Sequence, residues 1–170
     1  MLAAVLAVLW FGLPFVATGV AKLAPRGWEE QLGETVATTA MRSFAFGEQD
    51  IRACVAEDGV NALADLVTLI DQNDGADYQY RLRVVDNDVV NAFAAPGGYI
   101  VIFRGIIDEF ENQDELAAVL AHEIGHVTNQ HSLAGIIKAL GITAIASIVT
   151  GDVTGSTVGI AIESVLNAQN

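Results

Sequence analysis

The stretch DELAAVLAHEIGHVTNQ, Asp114–Gln130, decides how the rest of this 170-residue chain is read. Leu116, Val119 and Leu120 recur at three- and four-residue steps, which lays an apolar stripe along one helical face. Asp114 suits an N-cap, and Glu115 adds negative charge to the first turn, where the helix dipole favours it. Within this helix stands His122-Glu123-Ile124-Gly125-His126, the HExxH pattern. Four residues advance slightly more than one turn, so both imidazoles leave from the same side. Two imidazoles on one face can grip a single Zn²⁺ at about 2.0–2.1 Å. Glu123 lies beside the metal rather than on it, where a carboxylate can accept a proton from a zinc-bound water. His122 and His126 are therefore candidate ligands to one zinc ion per site, and Glu123 is the candidate catalytic base. His131 comes five residues after His126, well around the helix, and reads as exposed or as capping the helix end rather than as a ligand.

Working upstream, Tyr78–Val85 alternates, with Tyr80, Leu82 and Val84 on one side and Gln79, Arg81 and Arg83 on the other, the pattern of a strand with one buried face. Val89–Ala94 is a second candidate strand, Pro96-Gly97-Gly98 a turn, and Tyr99–Phe103 a third strand. Pro96 has no N–H to donate to a ladder, so its segment sits best at a sheet edge. Trp28–Ala45 and Ile51–Ile70 read as helices, and Leu63, Leu66, Val67 and Ile70 stripe the second of them. Cys54 falls in that second helix and is most simply a small core residue. The expected fold class is α+β: a small antiparallel sheet packed on helices, including the HExxH helix, with apolar helical ends.

Composition narrows the classes further. Hydrophobic residues make up 52% and charged residues 17%, which excludes a disordered chain. The length suits one domain with a core. The formal charge of −13 argues against nucleic-acid binding, which needs Lys and Arg to neutralise phosphates. A single cysteine allows no internal disulfide. Residues 29–131 hold 19 of the 21 acidic residues, between an apolar head and an apolar tail.

Met1–Ala21 carries no charge and, against the roughly 20 residues needed to cross a bilayer, is just long enough to span one. Trp10, Phe11 and Phe15 suit a membrane segment. A signal peptide should open on Lys or Arg and end in an A-x-A-like site, and neither is clear here. Residues 1–23 are thus expected to be a membrane anchor or its end, with a signal peptide and a buried soluble helix as the alternatives. Lys22 and Arg26 weakly favour a cytoplasmic side for the domain after the anchor. In the tail, Leu133–Val149 is broken only by Lys138, and core helix and shallow membrane-dipping hairpin both stay open.

In these motifs the chain resembles the zinc metallopeptidase family that includes HtpX, the CAAX prenyl protease and the mitochondrial and bacterial envelope quality-control proteases. Three stretches carry the likeness: Asn91–Ile100, Arg104-Gly105, and Asp114–His126. Trp28-Glu29 with Leu32-Gly33 is similar to the opening of the catalytic domain in membrane-anchored bacterial members. The resemblance implies a gluzincin, with zinc held by the two histidines of HExxH and a glutamate from a later helix. That glutamate belongs to an ExxxAD segment, and no ExxxAD occurs after His126; the later acids are Asp152 and Glu163, and Glu163 is not assigned as the ligand. Residues 28–170 are therefore expected to be the N-terminal part of a catalytic domain that stops short of its third ligand.

The implied activity is that of a membrane-associated zinc metalloendopeptidase of protein quality control, located at the bacterial cell envelope, in the inner membrane. Its partner would be an extended polypeptide substrate, paired through main-chain hydrogen bonds with the edge strand at Asn91, Ala92, Phe93 and Ala94. Two rivals remain open. One is a truncated or degenerate domain that binds peptides or partners without cutting them. The other is a structural membrane protein whose apolar ends do the work.

Overall fold

The computed structural model describes residues 17–44, 52–74 and 78–140. The element order is α1 (Arg26–Phe44), α2 (Glu57–Asp74), β1 (Arg81–Val85), β2 (Ala92–Ala95), a 3₁₀ turn (Pro96–Gly98), β3 (Tyr99–Phe103), α3 (Arg104–Glu109), α4 (Gln113–Thr128) and α5 (His131–Leu140). The fold class is α+β. Most of the expected head, residues 1–16, and the tail beyond Leu140, with Asp152 and Glu163, lie outside the described residues. Among the described residues no helix is long and apolar enough to cross a membrane.

β3, with the sequence YIVIF, is buried along its whole length because it is the central strand of three and is covered on both faces. Alternation along the strands separates two cores. Phe93, Ala95, Tyr99, Val101 and Phe103 face Leu32, Val36 and Met41 of α1 and Leu133, Ile136 and Ile137 of α5. Ala92, Ala94, Ile100 and Ile102 face Leu63 and Val67 of α2 and Leu120, Ile124 and Val127 of α4. The described part of the apolar tail is therefore a core helix.

The sheet is mixed rather than wholly antiparallel. β2 pairs with β3 antiparallel, as a hairpin must, whereas β1 pairs with the other edge of β3 in parallel. Three successive strands that alternate in direction leave the first and third running the same way. β3 carries the bulkiest apolar run, YIVIF against AFAA in β2 and RLRVV in β1, and takes the central position. β1, with Arg81 and Arg83, tolerates an edge, and β2 forms the other edge, consistent with the constraint that Pro96 sets on its segment. The connector that makes this crossing is tied down by Arg104, whose guanidinium bonds Asp86 at 2.7 Å and also binds Asp88 and Asp108.

α2 begins at Glu57, not near Ile51, and Cys54 lies outside it. Ala53 bridges Val85, and the Cys54 N–H donates to the Val84 carbonyl at 2.9 Å, so this segment is drawn into extended pairing with β1 before the helix starts. Helix α1 presses backbone to backbone against the 3₁₀ turn. A Cβ on Gly33 would fall 1.9 Å from the Pro96 carbonyl oxygen. Gly97, at φ 70°, would carry its Cβ to 2.6 Å from the Glu30 backbone. These contacts fix the end of β2 and, with it, the strand edge beside α4.

Candidate metal centre

Helix α4 starts two residues before an N-cap at Asp114 would place it. Asn112 is its N-cap, accepting from the N–H groups of Asp114 and Glu115, so Asp114 sits inside the first turn. Glu115 accepts from the Asn112 side-chain amide at 2.8 Å and from the Glu111 N–H at 3.2 Å, in the manner of a capping box. The helix lays Leu120, Ile124 and Val127 into the core. That orientation turns His122 outward and leaves His126 half-buried.

The two rings converge. Nε2 of His122 and Nε2 of His126 stand 3.0 Å apart, with the ring planes at 80°. Two nitrogens on a tetrahedral zinc at about 2.0–2.1 Å are separated by roughly 3.3 Å, so the spacing suits a shared cation. Burial holds the His126 imidazole below its ordinary pKa, with the neighbouring His122 and His131 adding to the effect. This keeps it in the neutral form that a metal needs.

Glu123 is 3% exposed, and its Oε2 is buried without a hydrogen-bond partner. Burial pushes its carboxyl up to about 7, against opposing effects from His122 and from a hydrogen bond with the Ala94 backbone. An orphaned carboxylate oxygen beside two converging imidazoles is a costly arrangement in a metal-free protein. It fits residues that would hold a cation between the imidazoles, with its water facing the carboxylate. Among the described residues no third His, Cys, Asp or Glu completes a metal-holding group.

The four strand residues divide into two pairs. The Asn91 carbonyl accepts from the Phe103 N–H at 3.0 Å, so by antiparallel alternation Asn91 and Phe93 direct their peptide groups toward β3. The Phe93 ring is buried near Phe44 and Phe103. Only Ala92 and Ala94 turn their peptide groups to the outer edge, and the Ala94 carbonyl already accepts from Ser132 Oγ at 2.7 Å. Ser132 thus covers part of the edge expected to receive substrate.

The helix does not run on to His131. Asn129 caps it, Gln130 turns the chain at φ 55°, and His131 opens α5. The reversal brings His131 Nδ1 to 3.0 Å from His126 Nδ1. Gln130 is held by Glu29 of α1, whose Oε1 accepts from Gln130 Nε2 at 2.7 Å and whose Oε2 accepts from the Tyr78 hydroxyl at 3.1 Å. Glu29 is 2% exposed. Its place within the apolar series Leu32, Val36 and Met41 is the signal in the sequence that it points inward.

The model of Peptidase family M48 matches residues 35–166, more than half of the chain. The mitochondrial metalloendopeptidase OMA1 of Arabidopsis thaliana is 41% identical over 61 residues, covering 36% of this chain and 13% of the relative. The beta-barrel assembly-enhancing protease of Escherichia coli (strain K12) is 28% identical over 119 residues, covering 70% of this chain and 23% of the relative. That of Yersinia pestis is 46% identical over 52 residues, covering 31% of this chain and 11% of the relative. The chain therefore spans less than a quarter of the length of each of these relatives.

Proposed function

This chain belongs to peptidase family M48, and from that premise we propose that it forms the HExxH-bearing part of a zinc-dependent metalloendopeptidase. The observation that carries the reading is the convergence of two Nε2 atoms, 3.0 Å apart, beside a buried carboxylate with an unpartnered oxygen. His122 and His126 would hold the zinc. Bound there, zinc supplies Lewis acidity, which polarises a peptide carbonyl and acidifies water.

Glu123 then has a defined task. Its Oε2 faces no protein donor, so it can take the proton of the attacking water and deliver it to the leaving amine. Burial raises the basicity of this carboxylate, the direction that favours such a shuttle. Ala94 steadies this carboxylate from the strand edge. An extended polypeptide would lie along β2, pairing at Ala92, because Ser132 has taken the Ala94 carbonyl. A third ligand would come from beyond Leu140 or from further chain.

The relatives supply the setting. One is named for enhancing β-barrel assembly and another for its mitochondrial location. We extend this to a role in protein quality control at a membrane, with residues 1–23 as an anchor or its end.

The test is Glu123→Gln in the full-length protein. Zinc content should stay at the parent level, while casein cleavage falls by at least about 100-fold, the lower range for losing a general base. Unchanged cleavage in the variant would refute the role of Glu123. Full zinc content without cleavage in the parent would favour the non-cutting peptide binder, for which the two-histidine set is the motivating observation.

A further inference from the structure

His126 has two ring nitrogens, and the structure engages both. Nε2 meets His122, while Nδ1 meets Nδ1 of His131 at 3.0 Å, with ring centroids 5.0 Å apart and planes at 72°. Two imidazole nitrogens at this distance share one proton, which one of them must carry and the other accept. For His126 Nε2 to offer its lone pair to a cation, the proton must sit on Nδ1. His131 Nδ1 must then be the acceptor.

We propose that His131 is a positioning residue: it accepts the Nδ1–H of His126, fixes that ring's tautomer and orientation, and so prepares Nε2 for zinc. The inference rests on the proposed zinc site and goes beyond it, because the HExxH pattern contains no such partner.

The placement of His131 is built rather than incidental. Gln130 adopts a positive φ, and it is the one non-glycine among the described residues to do so. Its side chain is locked by buried Glu29, 101 residues away in sequence. On the other side, Ser132 Oγ is fixed to the Ala94 carbonyl. The residues before and after His131 are thus pinned to α1 and to β2, which leaves its ring little choice but to face His126. His131 itself is exposed, whereas Ser132 and Leu133 after it are buried, so the packing of α5 holds an exposed ring against His126. Outer partners that accept the second N–H of a metal-bound histidine typically govern metal affinity by about 10–100-fold.

The experiment uses the full-length protein, stripped of metal and titrated with zinc against a fluorescent chelator. The variants are His131→Leu, His131→Asn and His122→Ala. Leucine fills the space without an acceptor. Asparagine places Oδ1 near the position of the lost Nδ1. Zinc affinity should fall by about 10–100-fold in His131→Leu, recover to within a few-fold in His131→Asn, and collapse in His122→Ala.

Parent-like affinity in His131→Leu, with His122→Ala defective, would overturn the proposal. So would a loss in both His131 variants as deep as in His122→Ala, since His131 would then be a ligand. Parent-like zinc binding in His122→Ala would instead refute the underlying zinc site. Should His131→Leu fail to fold, nitrogen-15 NMR of the zinc-loaded parent decides. A slowly exchanging proton on His126 Nδ1 is expected, and a bare Nδ1 would contradict the assignment.

Discussion

Glu123 is costly to the fold, and in the proposed reaction it is the side chain that moves the proton. Its carboxyl titrates near 7 when folded, against an ordinary value of 4.5, because burial disfavours its charge. Proton linkage sets the sign. A carboxyl with a raised folded pKa binds its proton more tightly in the folded chain, so its contribution to stability is complete below about 4.5 and is lost as pH rises to about 7. The metal-free full-length protein should therefore lose on the order of 2–3 kcal/mol between pH 4.5 and 7.5 through this one group. Glu123→Gln should remove that part of the decline, which urea unfolding at several pH values would read. Parallel pH profiles for parent and variant would show that the carboxylate is not buried as described. The two histidines and this glutamate were legible in the sequence because their chemistry depends on spacing within one helix. The part played by His131 was not. A count of five residues assumes an unbroken helix, and Gln130 breaks it.

At the scale of elements, helix α4 and strand β3 follow from local pattern, whereas the starts of helices do not. β3 was readable to the residue because nothing polar interrupts it. The N-cap of α4 fell to Asn112 instead of Asp114 because both residue types can cap, and the reciprocal contact with Glu115 decides between them. Asn112→Ala should cost about 1 kcal/mol in urea unfolding, with zinc affinity almost unchanged, because the cap lies more than two turns before His122. α2 starts late because Ala53 and Cys54 find backbone partners in β1, a tertiary competition that no local propensity reports. Gly33 is the most demanding position in α1. An alanine there would collide with the Pro96 carbonyl, and separating α1 from the 3₁₀ turn should cost about 2–3 kcal/mol. A Gly33→Ala protein as stable as the parent would contradict that close approach.

Across the whole molecule, one apolar strand divides two cores and each core serves the site. The core shared with α2 and α4 sets the rotation of the HExxH helix. The core shared with α1 and α5 brings Glu29 to Gln130 and His131 back to His126. The α+β class was readable from the alternation of elements. The parallel pairing of β1 with β3 was not, because strand order depends on which strand most needs both edges covered. Phe103→Ala, a cavity in the first core, should cost about 3–5 kcal/mol by urea unfolding.

The central claim is that the imidazoles of His122 and His126 share one zinc ion. It is tested most directly by metal analysis of the full-length protein after exhaustive dialysis, beside His122→Ala and His126→Ala. One zinc per chain in the parent, and almost none in either folded variant, is the predicted result. A parent-like zinc content in both variants would place the metal elsewhere and remove the basis for assigning the hydrolytic centre to this helix.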